Sequence, residues 1–157
     1  MVRVAHHFSL LFMPPATAAE WGIFMTLEKL KQKYENYTKA VQRLEDSLKR
    51  DETDEIVLDA VIQRFEFSYE LSWKIIKTYL SYQGIAEVRS PREAFKEAFA
   101  SEIIKEGNLW IDMLNDRNLT SHIYNEVEAR KIFEKIKTQY FFLLKELQNN
   151  LAKEINI

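Results

Sequence analysis

The side chains that could do chemistry are concentrated in residues 112–124, where the sequence reads DMLNDRNLTSHIY between apolar segments. A neutral imidazole, such as that of His122, can accept the 2′-hydroxyl proton of RNA, and an imidazolium can protonate the leaving oxygen. A guanidinium, such as that of Arg117, can hold the phosphate through two hydrogen bonds and offset the charge of the transition state. The pair therefore indicates cleavage of RNA without a metal ion. The polar neighbours that can orient these groups are Asn118, Thr120 and Ser121.

A purely structural interpretation of the same stretch stays open. Arg117 can pair with Asp112 or Asp116, and His122 can cap a helix end. Geometry also constrains the chemical interpretation, because side chains five residues apart on a regular helix point about 140° away from each other. Arg117 and His122 can therefore meet only if the helix ends or distorts near Thr120, or if two copies of the chain share the site.

Composition excludes several classes of protein. The chain has 157 residues, of which 46% are hydrophobic, and this is enough for the core of one domain. It has no cysteine, so thiolate nucleophiles, disulfides and cysteine metal sites are excluded, and a reducing cytoplasm is the expected location. Its three glycines and net charge of −2 argue against a phosphate-binding loop and against bulk electrostatic binding of nucleic acid. We expect no cofactor, no metal site and no membrane span.

Apolar residues recur at alternating steps of three and four over residues 27–48, 54–83 and 125–151, which predicts three long helices. Shorter apolar faces at 94–99 and 109–114 predict a further, broken helix. The expected fold is all-α, an antiparallel up-and-down four-helix-type bundle with one broken or short extra helix. Predicted helix starts and stops are Thr26, Gly84, Ser90 with Glu93, and Asn125 with Glu128.

The same patterns predict the burial or the pairing of several individual side chains. Phe99 is expected to point inward with Ala94, Phe95 and Ala98, and Trp73 and Trp110 are expected to anchor a core or an interface. Glu70 and Lys74 are expected to form an exposed pair one turn apart, although a buried Glu70 could instead steady Arg117 or His122. A local basic patch can form if the fold gathers Arg64, Lys74, Arg89 and Arg117.

Residues 1–24 differ from the rest, because they carry only two charged residues and hold the adjacent pair His6 and His7. Three interpretations of this segment are open: a signal peptide, a functional arm, or residues that were included because the start of translation was assigned upstream of the true start. We favour the third, with translation beginning at Met25, because the segment has the pattern of neither an exported nor a folded element. The expected organisation is an unmatched extension over 1–24 and a single bundle domain over 25–157.

Three blocks, at residues 63–74, 90–93 and 109–124, resemble the nucleotidyltransferase substrate-binding protein family of the HEPN superfamily. The resemblance covers nearly all of residues 26–150. It implies a small helical bundle that forms a homodimer and binds a minimal nucleotidyltransferase encoded beside it. An older view of the family is that the helical subunit presents substrate to that enzyme.

A newer view treats such pairs as toxin–antitoxin systems, and the resemblance then implies specific roles. The HEPN-type, HepT-like toxin is a metal-independent ribonuclease with the motif Arg, four residues, His, any residue, Tyr. Arg117, His122 and Tyr124 match this motif, and Asn118 matches the polar residue usual after the arginine. The antitoxin-like nucleotidyltransferase silences the toxin by adding AMP to the tyrosine, here Tyr124. We predict Arg117 and His122 as catalytic, with Asn118, Asp116 and Ser121 in support. The alternatives are a non-catalytic substrate-binding subunit and a purely structural dimeric bundle.

Overall fold

The computed structural model describes residues 13–157, and its regular elements are helical throughout that range. The helices are α1 (Ala18–Leu48), α2 (Glu55–Tyr82), α3 (Pro91–Ala100), α4 (Gly107–Leu119), α5 (Glu126–Lys135) and α6 (Phe141–Glu154). A 3₁₀ turn at Thr120–His122 follows α4, and a π-helical segment at Ile136–Tyr140 joins α5 to α6 without a break. The all-α bundle predicted from periodicity is confirmed. Among residues 13–157, no helix combines the length and apolar character needed to cross a membrane.

The first helix begins earlier than predicted. Thr17 is the N-cap: its hydroxyl accepts a hydrogen bond from the Glu20 backbone at 3.1 Å, and the Glu20 carboxylate accepts one from the Thr17 backbone at 3.1 Å. This reciprocal pair satisfies two amides that the helix leaves free. The prediction of Thr26 as N-cap is therefore wrong; its hydroxyl instead donates to the Gly22 carbonyl at 2.8 Å inside the helix. His6 and His7 lie outside the described residues.

The bundle is built on α1 and α2, which pack along each other and are both contacted by the continuous helix α5–α6. Buried tyrosine hydroxyls join α1 to α6, because Tyr37 donates to the Leu144 carbonyl at 2.6 Å and Tyr34 to that of Gln148 at 3.2 Å. The apolar positions predicted from spacing supply most of this core. Its most completely buried members on these three helices include Leu30, Val41, Leu44, Leu58, Phe65, Ile75, Ile136 and Leu151.

The short helices α3 and α4 pack together, and α3 also contacts α2. A run of ring contacts links them to the bundle: Tyr69 lies edge-on to Phe95 at 5.8 Å between centroids, and Phe95 lies 4.9 Å from Trp110. Trp110 is thus a core anchor, as predicted. The prediction that Phe99 points inward is wrong: it is 53% exposed and lies against Gly107, where an added Cβ would approach its ring to 3.0 Å.

Candidate functional site

The stretch that carries the candidate chemistry forms the end of α4 and the turn that follows it. Helix α4 stops at Leu119, and the chain tightens into the 3₁₀ turn before Ile123 becomes extended. The Thr120 hydroxyl donates to the Arg117 carbonyl at 2.7 Å, and the Thr120 backbone amide donates to the same carbonyl, so Thr120 closes the last turn of α4. Asn125 then caps α5 by accepting from the Glu128 backbone at 2.9 Å. The helix break that the spacing required near Thr120 is therefore present.

Arg117 is held by a neighbouring helix rather than by its own. Its guanidinium lies 3.4 Å from the carboxylate of Glu66 on α2, and its Nη1 donates to the Thr120 hydroxyl at 3.4 Å. The alternative in which Arg117 pairs with Asp112 or Asp116 is not what the structure shows within residues 13–157. The Arg117 Nε is buried and has no partner within residues 13–157. The guanidinium is therefore only partly satisfied, and it lines an open cleft of about 550 Å³ between α1, α2 and α4.

Asp116 has partners of its own on the long C-terminal helix. Its carboxylate accepts a hydrogen bond from the Tyr140 hydroxyl and pairs with the Lys135 ammonium at 2.8 Å. Burial and the bond to this carboxylate raise the pKa of Tyr140 well above its ordinary value. The Tyr140 ring stacks on Phe65, with centroids 5.7 Å apart. Asp116 thus fastens the end of α4 to the π-helical segment, directly beside Arg117.

His122 faces a different part of the surface from Arg117. It lines a cavity of about 350 Å³ between the 3₁₀ turn and α5, together with Asp116, Leu119, Glu128 and Lys135. The imidazole is exposed and makes no hydrogen bond within the described part of the chain. Arg117 and His122 therefore line separate cavities of one chain, and no hydrogen bond in residues 13–157 joins them.

Asn118, Ser121 and Tyr124 complete the predicted set, and all three side chains are exposed. The Ser121 hydroxyl donates to the Asn118 carbonyl at 3.4 Å, so it braces the turn. Tyr124 is 82% exposed, and its backbone amide donates to the Glu128 carboxylate at 3.1 Å. Its hydroxyl makes no hydrogen bond within residues 13–157, so the tyrosine is accessible to a modifying enzyme.

Three contributors to this region were not predicted: Glu66, Lys135 and Tyr140. Glu66 carried no prediction of its own, because the one pair expected on this charged stretch of α2 joined Glu70 to Lys74. That expectation is correct for Glu70, which lies 3.9 Å from Lys74 and accepts from the Trp73 indole at 3.0 Å. Tyr140 falls on the apolar seam of the last helix, so a buried ring was expected there. Nothing in the sequence indicated that its hydroxyl would donate to Asp116.

No cluster of three or more histidine, aspartate or glutamate side chains within residues 13–157 could hold a metal ion.

Comparison with known proteins gives consistent matches. The family model for "nucleotidyltransferase substrate binding protein like" proteins matches residues 32–153. A probable ribonuclease HepT from Haemophilus influenzae is 31% identical over 99 residues, which cover 59% of this chain and 68% of that protein.

Two solved structures share the fold. A crystal structure of a protein from Thermus thermophilus has 32% identity and a TM-score of 0.68, and the match covers 73% of this chain and 98% of that one. A Haemophilus influenzae structure that reveals the fold of a substrate-binding domain of a nucleotidyltransferase has 22% identity and a TM-score of 0.59, covering 83% and 99%. The family match spans most of the bundle and includes the whole of the arginine–histidine stretch, so the chain belongs to the nucleotidyltransferase substrate-binding protein family.

Proposed function

We propose that this protein is the toxin-like partner of a minimal nucleotidyltransferase and a metal-independent endoribonuclease of the cytoplasm. In this proposal Arg117 binds the scissile phosphate and His122 transfers the protons. The neutral imidazole takes the proton of the 2′-hydroxyl, whose oxygen attacks the phosphorus, and the imidazolium then protonates the departing 5′-oxygen. Arg117 offsets the negative charge on the phosphorus oxygens.

The observation that carries the proposal is the break between α4 and α5. At this break Arg117 contacts Glu66 of α2 and Thr120 of the turn. The imidazole of His122 and the hydroxyl of Tyr124 are instead exposed and make no hydrogen bond within residues 13–157. A residue that served only to cap a helix would use its side chain for that purpose. The similarity to a probable ribonuclease HepT supports the same conclusion.

A homodimer would reconcile the chemistry with the separation of Arg117 and His122 within one chain. Exposed apolar side chains lie near His122 in the chain: Leu119, which lines the cavity of His122, is 60% exposed, and Val127, two residues after the cap of α5, is 65% exposed. Burying such side chains against a second copy would stabilise association. We propose that the arginine of one copy and the histidine of the other then face one RNA strand.

Control by AMP addition has a simple physical basis at Tyr124. In this step the Tyr124 oxygen bonds to the α-phosphorus of ATP held by the partner enzyme, pyrophosphate leaves, and the hydroxyl proton passes to solvent. The new phosphodiester carries one negative charge on a side chain two residues from His122 and seven from Arg117. An anion held there would occupy the place of an RNA phosphate and attract the same guanidinium.

A non-catalytic substrate-binding subunit is the second candidate, and one observation favours it. Arg117 already contacts a carboxylate and a hydroxyl, which is the arrangement expected if the motif served as an interface network. Such a subunit would present a nucleotide or RNA acceptor to the partner enzyme and would lose little when His122 is replaced.

The test is RNA cleavage by the full chain in excess chelator, without any nucleotidyltransferase, beside His122→Ala and the control variant Arg89→Gln. Intact mass would establish that Tyr124 is unmodified. We expect chelator-resistant cleavage that His122→Ala abolishes and Arg89→Gln retains. Equal inactivity of wild type and His122→Ala on varied RNAs would favour the binding-subunit function instead.

A further inference from the structure

The cleft that holds Arg117 also contains two arginines from other helices. Arg43 of α1 and Arg64 of α2 line the same space of about 550 Å³. Ala40 and Ala60 lie in the same wall, and their small side chains leave the space open. Three guanidinium groups from three helices thus face one opening in a chain whose net charge is −2.

The two carboxylates of the cleft have partners already. Glu66 contacts Arg117, and Glu70 accepts from the Trp73 indole and pairs with Lys74. They therefore compete only weakly for the other two arginines. The three arginines outnumber the two glutamates, so the lining of the cleft carries a net positive charge.

Arg43 and Arg64 take part in no ion pair within residues 13–157. The Arg64 Nη1 donates to the backbone carbonyl of Arg43 at 2.7 Å, which holds the side chain across the groove between α1 and α2 without neutralising it. A guanidinium fixed in this way keeps donors for a second acceptor at little further entropic cost.

We propose that this cleft is a second phosphate subsite, in which Arg43 and Arg64 bind the backbone of a single-stranded RNA next to the phosphate held by Arg117. The proposal rests on the proposed ribonuclease function and adds the strand that it would act on. Phe67, at the edge of the cleft and 54% exposed, offers a ring on which an unpaired base can stack. Of the four basic residues considered from the sequence, the cleft contains Arg64 and Arg117, whereas Lys74 pairs with Glu70 and Arg89 does not line it.

The experiment measures binding of a short, labelled, single-stranded RNA to the full chain carrying His122→Ala, so that the probe stays intact. Arg43→Gln, Arg64→Gln and their combination are added to this background, and Arg89→Gln is the control with the same loss of charge. Each phosphate contact to a single strand contributes about 0.7 to the magnitude of the slope of log affinity against log salt concentration. Such a contact therefore raises the affinity about fivefold when the salt concentration falls from 1 M to 0.1 M. We expect each cleft variant to lose about fivefold at 0.1 M salt and the double variant about 25-fold. Arg89→Gln should change neither affinity nor slope.

Unchanged affinity and slope in the double variant would overturn the subsite, even if the wild type cleaves RNA. Binding that depends on Arg43 and Arg64 in a protein that cleaves nothing would support the subsite and refute the ribonuclease. Inorganic phosphate and AMP are the competing probes. If either displaces the RNA at a concentration as low as that of the RNA itself, the cleft would be assigned to a free phosphate ligand and the strand proposal would be overturned. A shift in oligomeric state of the double variant, measured by sedimentation, would identify the cleft as a subunit contact and would likewise overturn it.

Discussion

Replacing Tyr140 by phenylalanine removes one hydroxyl and keeps the ring that stacks on Phe65. The lost hydrogen bond ends on the Asp116 carboxylate, whose side chain is 17% exposed, and Tyr140 itself is 1% exposed. A hydrogen bond to a charged group contributes about 1.5–3 kcal/mol to stability, against about 0.5–1.5 kcal/mol for a neutral acceptor. At about 2–4 °C per kcal/mol for a domain of this size, we expect the midpoint of thermal unfolding to fall by about 3–12 °C.

Tyr37→Phe is the matched control, because it removes a buried tyrosine hydroxyl that donates to the neutral Leu144 carbonyl at 2.6 Å. Urea unfolding of both variants compares the two acceptors directly. A double-mutant cycle of Tyr140→Phe with Asp116→Asn isolates the pair, for which we expect a coupling of about 1 kcal/mol or more. A cost no greater than that of Tyr37→Phe, together with negligible coupling, would refute the assignment of Asp116 and Tyr140 as an anchor for α4.

Three further outcomes are expected. Asn125→Ala removes the cap of α5 and should cost about 1 kcal/mol in urea unfolding, with faster proteolysis at the preceding turn; equal stability would show that the cap contributes nothing. Burial and Glu154 raise the pKa of Tyr79 to about 12, above the ordinary value near 10, so its contribution to stability is complete below about pH 10 and disappears as the pH rises toward 12. Urea unfolding followed by circular dichroism should therefore show a free energy of unfolding that falls across that window, and a flat stability profile would contradict the shift. Leu44→Ala, at a fully buried position, should cost about 2–5 kcal/mol, whereas Phe142→Ala, at a site 59% exposed, should change stability by about 0.5 kcal/mol or less, and similar losses would argue against the assigned core.

The long helices could be predicted because their apolar spacing repeats over many turns, and a repeated signal outweighs single exceptions. Single residues were less reliable. Thr26 and Thr17 are both acceptable caps by type, and only the glutamate three residues after Thr17 distinguishes them. Phe99 lies in the last turn of the short helix α3. A helix this short repeats the apolar spacing too few times to show whether its last turn packs against the core.

The site shows the same division between local and distant information. The break before Asn125 could be predicted because capping is local. The partner of Arg117 could not, because Asp112 and Asp116 are only the carboxylates nearest to it in the sequence, and the local sequence says nothing of Glu66 on another helix. The five-residue spacing of Arg117 and His122 indicated that a regular helix would separate them, but whether the break near Thr120 would bring them together could not be predicted, because the outcome depends on how α4 packs against the other helices.

The π-helical segment between α5 and α6 determines where the chain can lose one residue without a change in helix packing. A π-helical turn contains one residue more than the α-helical turn it replaces. Lys137, Thr138 and Gln139 are exposed, so deleting one of them would let the segment become α-helical while α6 keeps its orientation to α5. A deletion within a regular part of the helix would instead rotate everything beyond it by about 100°. Tyr140 ends this segment and donates to Asp116, so the extra residue also sets the position of the hydroxyl that connects the segment to the end of α4.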